Sequence, residues 1–200
     1  MEVVSPILHS NEIWETEITT LWNVIGSKFR VFENETAGCH VHVAPIGRLY
    51  TLEEVKAVAF ASRYYEPYII SILPYERRIN SYCKRNSMMT NEMGETKGEN
   101  IPQHYRRSGL DTVSWKIDED NLERVCRYMQ GGMEKQHRYV LWNFQNLVSR
   151  TGTGTIEFRG GPHLRDAQKT THWITFAVVF VSMAMGDVST IVFQRRTTLY

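Results

Sequence analysis

Two short segments hold residues whose types and spacing could do chemistry. In "GCHVHVAP", His40 and His42 flank Val41, and in "TIEFR", Glu157 and Arg159 flank Phe158. Residues two apart on a strand point to the same side. The histidine pair therefore shares a face opposite Cys39, Val41 and Val43, and the Glu157–Arg159 pair shares a face opposite Ile156 and Phe158. A face that only met solvent would be served as well by Lys, Thr and Ser. Neutral imidazole nitrogen and carboxylate oxygen suit hard or borderline divalent cations, and a planar guanidinium can hold a phosphate in its fork. Metal together with phosphate is the chemistry such a face can do. Each piece alone is permissive: His-x-His also describes two half-exposed histidines on an edge strand, and Glu-x-Arg is often a cross-strand ion pair. Arg77, Arg78, Lys84 and Arg85 in "RRINSYCKRN" would, by themselves, describe a solvated surface. Their combination is what points to a site.

The elements that must position these residues can be read from periodicity. "MEVVSPIL" has the β-branched content of a short strand ending at Pro6, with Glu2 and Val4 on one face. Ile13, Trp14, Ile18, Leu21, Trp22, Ile25 and Phe29 recur at steps of three and four, predicting an amphipathic helix over residues 11–29. "RVFEN" and "CHVHVAP" read as strands close enough for a hairpin. Thr51 with Glu54 three residues on forms a capping box, opening a helix through Val55, Val58, Ala59 and Ser62 that runs to Tyr65 and resumes after Pro67. Residues 87–117 are polar and aperiodic, predicting a long surface loop or insertion. Asp118 caps a helix over 119–129, "GTIEFRGG" is a strand, and Asp166 caps a long helix to Met185. Strands and helices alternate without a βαβ rhythm, which predicts an α+β fold with an antiparallel sheet covered by helices. The expected domain covers residues 1–186, with 187–200 as a C-terminal tail.

Composition bounds the rest. Two hundred residues, 42% hydrophobic, suffice for a core that buries roughly 70% of the unfolded chain's surface. A formal net charge of +1 leaves no electrostatic footprint for nucleic acid or anionic membrane. Cys39, Cys83 and Cys126 are odd in number and form no Cys-x-x-Cys pair, so no disulfide framework is suggested. The longest apolar stretch, from Trp173 to Met185, is well short of the roughly 20 residues a membrane span needs and reads as a buried helix. With no leader of the signal-peptide type, a cytoplasmic protein is expected. Trp14, Trp22, Trp142 and Trp173 are most simply core. Cys39, on the apolar face, is more simply core than nucleophile, while Cys83 lies among cations but has no general base beside it in sequence. Glu66, His163 and Arg165 admit helix-end or loop roles as readily as roles at a site.

The order of the segments is more specific than any one of them. Glu2 in "EVVSPIL", then "GCHVHV", then "RRINSYCKRN", then "TIEFR", resembles the glutamine synthetase-like superfamily of carboxylate-amine ligases, and most closely its fungal-type amidoligase branch. Glutamine synthetases carry Gly-x-His-x-His, Asn-Ser-Tyr-Lys-Arg and Glu-x-Arg segments in that order. Here these are Gly38 to His42, Asn80-Ser81-Tyr82 with Lys84 and Arg85 after an inserted Cys83, and Glu157-Phe158-Arg159. The resemblance extends from Glu2 to about Met185. It implies an ATP-dependent enzyme in which Mg²⁺ or Mn²⁺ bridges nucleotide phosphates, a substrate carboxylate becomes an acyl phosphate, and an amine displaces phosphate to leave an amide or isopeptide bond. It further implies Glu2, His40 and Glu157 as metal ligands, His42 as a phosphate contact, and Arg78 and Asn80 near the nucleotide. Arg159 would face the transferred phosphoryl group and Arg85 the carboxylate substrate. The partners would be small-molecule or peptide carboxylates and amines, in a possible homo-oligomer.

One departure is visible. Members of this group begin with a Gly-x-Glu-x-Glu strand before the "SPIL" strand, and no such segment precedes Glu2 in this sequence. The expectation that follows is a fragment, or a truncated or degenerate domain of the same fold that binds nucleotide or a protein partner without catalysis. A third reading is an unrelated metal hydrolase built on the histidine pair. It predicts zinc retention without nucleotide, where the ligase reading predicts Mg²⁺-dependent ATP binding.

Overall fold

β-Branched and aromatic residues dominate "TIEFRGG", and in the computed structural model this segment becomes the centre of the sheet. The structure describes residues 3–10, 12–32, 34, 37–89, 121–131 and 138–186. Strand β1 (Cys39–Val43), the two-residue β2 (Trp142–Asn143) and β3 (Ile156–Gly161) form a three-stranded sheet of order β1-β3-β2, antiparallel at both pairings. Val41 lies opposite Phe158 and Val43 opposite Ile156. All four are buried, as is Trp142, whose ring meets Phe158 with centroids 4.8 Å apart. Six buried residues in a row make β3 unfit for an edge, which is why a neighbour covers it on each side. The chain is thus mixed α+β with a small antiparallel sheet.

Around this sheet lie α2 (Leu52–Tyr64), α3 (Glu66–Ile72), α4 (Tyr75–Arg78) and α5 (Leu122–Met129). The capping box at Thr51 forms as the spacing requires: its hydroxyl accepts from the Glu54 amide and the Glu54 carboxylate accepts from the Thr51 amide. Arg48 adds a fork on the Glu54 carboxylate at 2.8 and 2.6 Å, which holds it down at about 2, well below the usual carboxylate value. Val55, Val58 and Ala59 of α2 and Val125 and Met129 of α5 are fully buried, and the two helices pack together. These elements belong to one compact unit spanning 33–164; a second comprises 1–32 and 165–200. In the second, α1 (Glu15–Lys28) packs on α6 (Ala167–Met185), with the Trp22 indole donating to the Thr170 hydroxyl at 2.8 Å. Asp166 caps α6 through the Lys169 amide at 2.7 Å, as its sequence position predicts.

Several expectations change. Residues 3–9 form no strand; Val4 and Ile7 are exposed, and without a partner strand the β-branched run has no ladder to satisfy its amides. The hairpin between "RVFEN" and β1 does not form either. Residues 30–32 are irregular, Phe32 is 76% exposed, and β1 instead pairs with the distant β3, where apolar meets apolar and histidine meets carboxylate. Helix α6 is also less buried than its composition suggests, because Val179 and Met183 remain exposed. Trp14 and Trp142 are core, whereas Trp22 and Trp173 are half-buried. Helix α5 starts at Leu122 with Asn121 as its cap; Asp118 and nearly all of the 87–117 stretch lie outside the described residues. Among the described residues no helix is long and apolar enough to cross a membrane.

A short extended segment prolongs the sheet past β2. Lys84 makes a parallel bridge with Val140, its carbonyl accepting from Leu141 at 2.8 Å and its amide donating to Tyr139 at 3.0 Å. Asn86, fully buried, fastens this segment. Its amide donates to the carbonyls of Met129 and Trp142 at 2.9 and 2.8 Å, and its oxygen accepts from the Trp142 amide at 2.9 Å. Truncating it would leave three backbone groups unpaired in the interior, each costing about 1–3 kcal/mol. Asn86→Ala is accordingly expected to lower the urea midpoint by an amount worth roughly 3 kcal/mol or more. An Asn86→Ala midpoint equal to wild type would show that water replaces the amide there.

Candidate functional site

The antiparallel register of β1 and β3 sets His42 directly opposite Glu157, and that of β2 and β3 sets Asn143 on its other side. Glu157, 4% exposed, is therefore flanked across both neighbouring strands. Its Oε2 accepts from the Asn143 side-chain amide at 2.7 Å. Its Oε1 is the convergence point: Arg159 Nη1 donates to it at 2.6 Å, His40 Nδ1 lies 3.3 Å away and His42 Nε2 3.7 Å away. Residues two apart on two different strands, drawn as separate pairs from the sequence, thus meet at one oxygen.

An irregularity makes this convergence possible. Between Val41↔Phe158 and Cys39↔Gly161 the register shifts, so that one residue of β1, His40, faces two of β3, Arg159 and Gly160. This is a β-bulge, a device that bends a strand and re-aims a side chain. The two glycines of "FRGG" are required by it. A Cβ on Gly160 would sit 2.5 Å from the Phe158 ring and 2.8 Å from Leu141, and one on Gly161 would sit 2.6 Å from the Cys39 carbonyl oxygen.

Arg159, 8% exposed, is held from several sides: Nε donates to the Tyr82 carbonyl at 3.3 Å and the guanidinium lies over the Tyr139 ring at 5.6 Å. Tyr82 and Tyr139 brace one another edge to face at 5.1 Å. The outer part of the cluster is wetter. His42 Nδ1 contacts the Thr155 hydroxyl at 2.9 Å, and Thr155 contacts Thr153 at 2.8 Å. These threonines belong to the loop "SRTGTGT" that leads into β3. Burial, with the positive charge of Arg159, holds His40 down at about 4 although Glu157 pulls the other way. At neutral pH its imidazole is uncharged and keeps a lone pair for a ligand.

The other residues nominated from sequence fall differently. Arg78 is exposed and turned to the end of α3, donating to the Leu73 carbonyl at 2.6 Å and to Ser71 at 2.8 Å. Asn80 closes a turn by accepting from the Tyr82 amide at 2.8 Å. Arg85 is half-buried, and among the described residues its side chain takes no part in the Glu157 cluster. Glu2 lies outside the described residues. His163 is used by its loop, accepting from the Asn34 amide at 3.1 Å. Glu66 is buried, with Oε1 accepting from the Ser87 amide at 3.2 Å. Burial raises the Cys39 thiol to about 11 and raises Cys83 as well, so neither is a ready thiolate. Two members of the neighbourhood escaped the sequence reading: Asn143 sits in a strand too short to show periodicity, and Tyr139 precedes it. Of the basic run weighed from the sequence, Arg77 rather than the nominated Arg78 is the arginine that α4 turns inward.

The donor set can be tested against a divalent ion. Among the described residues no group of three or more His, Cys, Asp or Glu side chains is arranged to hold a metal by itself. One carboxylate, Glu157, stands against the guanidinium groups of Arg159 and Arg77, so the neighbourhood is net positive even with His40 uncharged. A bare divalent ion is disfavoured there, whereas Mg²⁺ needs only one or two protein carboxylates when it arrives with phosphate oxygens. The residues fit a metal–polyphosphate complex better than a resident ion.

The fold and the cluster describe a mixed α+β domain in which histidine, arginine and carboxylate side chains of a small antiparallel sheet converge on one oxygen. The family model described as "Putative amidoligase enzyme" matches residues 1–181 of the chain, and the chain belongs to that family. No curated protein and no solved structure matches it significantly.

Proposed function

We propose that this chain is an ATP-dependent carboxylate-amine ligase. A substrate carboxylate oxygen attacks the γ-phosphorus of ATP and ADP leaves, giving an acyl phosphate. An amine then attacks the acyl carbon, phosphate leaves, and the amine's proton is lost to form the amide. Bound Mg²⁺ or Mn²⁺ would supply charge neutralisation on the phosphate oxygens. The observation that supports this most is the meeting of His40, His42 and Arg159 at Glu157 Oε1 in a chain of the amidoligase family.

The roles follow from charge. Glu157 and His40 would hold the cation, His42 with Thr155 would meet phosphate, and Arg159 would face the charge that develops on the transferred group. Phosphoryl transfer asks for positioning and charge stabilisation more than for a protein nucleophile, and this face offers that. Tyr82, Tyr139 and Glu157 fix the Arg159 guanidinium beforehand, which removes reorganisation from the reacting step. Glu2, Arg78, Asn80 and Arg85 remain proposals for metal, nucleotide and substrate contacts. Hydroxylamine, as a small strong amine, tests the chemistry without knowledge of the natural acceptor. Incubation with ATP, Mg²⁺ and a panel of amino-acid and peptide carboxylates is expected to yield a hydroxamate and equimolar ADP with at least one donor. ADP release that no carboxylate stimulates, with no hydroxamate, would contradict ligation.

A second reading is favoured by one specific observation. Only one carboxylate enters the cluster among the described residues. A domain of this family that binds nucleotide without turnover would need no more, and it predicts Mg²⁺-dependent nucleotide binding with neither hydroxamate nor ADP produced.

A further inference from the structure

Arg77 is the most deeply buried cation described in the chain, with 0% exposure. It stands in the last turn of α4, and its Nη2 donates to the backbone carbonyl of Arg159. Its Nε and Nη1 are buried without an oxygen or nitrogen acceptor, and the Cys83 thiol lies within hydrogen-bonding reach of the guanidinium. No carboxylate pairs with it among the described residues. Burying a guanidinium in this way costs several kcal/mol, and an apolar side chain of similar length would fill the space at less cost. What the cation touches accounts for its presence.

Arg159 and Gly160 are the two residues of the bulge that share His40 as their one partner across the strands. The extra residue of a bulge loses its place in the hydrogen-bond ladder, and an unpaired buried carbonyl is costly. The Arg77 guanidinium supplies the missing donor at that carbonyl. On its other side the chain enters β1 through Gly38. A Cβ there would lie 3.0 Å from the central carbon and from both terminal nitrogens of the guanidinium. Any side chain at 38 would press on the guanidinium, which would have to give by a few tenths of an ångström.

We propose that Arg77 is a positioning residue: it locks the bulge at Arg159–Gly160 from below and, through it, sets Arg159 and His40 on Glu157, with Gly38 as its steric complement. Arg77 need touch no ligand to do this. Its assignment as a lock stands on the sheet geometry, and only its consequence for nucleotide binding rests on the ligase reading.

The test compares wild type with Arg77→Met, Arg77→Lys and Gly38→Ala, each with and without millimolar free guanidinium, by amide hydrogen exchange. In Arg77→Met, exchange at Cys39, Arg159 and Gly161 is expected to accelerate on the order of tenfold or more. The amides of Val43 and Ile156, at the far end of the same pairing, are expected to stay unchanged. Free guanidinium should restore protection in Arg77→Met, and lysine should restore it partly. Should Arg77→Met not fold, Gly38→Ala carries the same expectation in smaller measure, because its methyl group pushes the guanidinium off the Arg159 carbonyl by a few tenths of an ångström without changing α4. Uniform acceleration along both strands, or none, without response to guanidinium, overturns the proposal. Titration of the same proteins with Mn²⁺ and a non-hydrolysable ATP analogue should show affinity lost and regained in parallel. If wild type binds no such complex, the ligase reading fails while the exchange pattern still decides the role of Arg77.

Discussion

Arg159→Met is expected to move metal binding and turnover in opposite directions. The Arg159 guanidinium sits 2.6 Å from Glu157 Oε1, the atom that His40 and His42 also approach. A cation entering that position must displace this contact and then lie beside a positive charge. Removing the guanidinium should therefore tighten binding of Mn²⁺ alone, on the order of tenfold, since charge pairs in a partly desolvated site interact by a few kcal/mol. The same substitution deletes the group assigned to the transferred phosphoryl. A charge-assisted contact is worth about 1.5–3 kcal/mol in the ground state, and arginines placed on phosphoryl-transfer transition states contribute about 10³-fold or more in rate. Free Mn²⁺ measured by electron paramagnetic resonance and ADP release measured on the same protein would separate the two effects. A parallel loss of both would mean that Arg159 merely supports the sheet.

Glu157→Gln carries the second large effect, on stability as well as binding. The Glu157–Arg159 pair is nearly dry, with side chains 6% and 9% exposed. Breaking such a pair by removing one partner costs about 3–5 kcal/mol, because the remaining charge is left buried. For a chain of this length that corresponds to a melting temperature lower by roughly 10 °C. The double variant Glu157→Gln with Arg159→Met should regain most of this loss, since removing both charges relieves the penalty. It should not regain binding of a metal–nucleotide complex. A double variant as unstable as the single one would mean that the two side chains are held by packing rather than by their mutual charge.

The parts of the fold that were legible in the sequence are the local ones. The capping box at Thr51 and Glu54 and the Asp166 cap of α6 form as their spacing dictates, because a helix end is settled by residues three apart. The two-residue period also placed His40 with His42, and Glu157 with Arg159, on common faces. The partner of each strand was not legible. "RVFEN" is the nearer candidate for β1, but β3, more than a hundred residues away, offers a matching apolar face, and no local signal reports that. The bulge was hidden for the same reason: "FRGG" announces glycine, but only the pairing with "GCHVH" shows that two residues of β3 must share His40. Arg77 and Arg78 are neighbours of identical type, so no local pattern separates them, and the resemblance nominated Arg78. The four-residue α4 turns Arg77 beneath the sheet and sends Arg78 to the carbonyls that end α3. Asn143 was missed because a two-residue strand has no period to read.

The net positive charge around Glu157 gives the ligase reading its sharpest consequence, since metal and polyphosphate should enter this face together. Isothermal titration with a non-hydrolysable ATP analogue, with and without Mg²⁺, on wild type and on Glu157→Gln, measures this coupling directly. Wild type is expected to bind the analogue at least tenfold more tightly with Mg²⁺ than without it, and Glu157→Gln to lose that difference, given one charge-assisted contact to the cation. Equal affinity in all four titrations, or no binding in any, would contradict the assignment of this face to a metal–nucleotide complex.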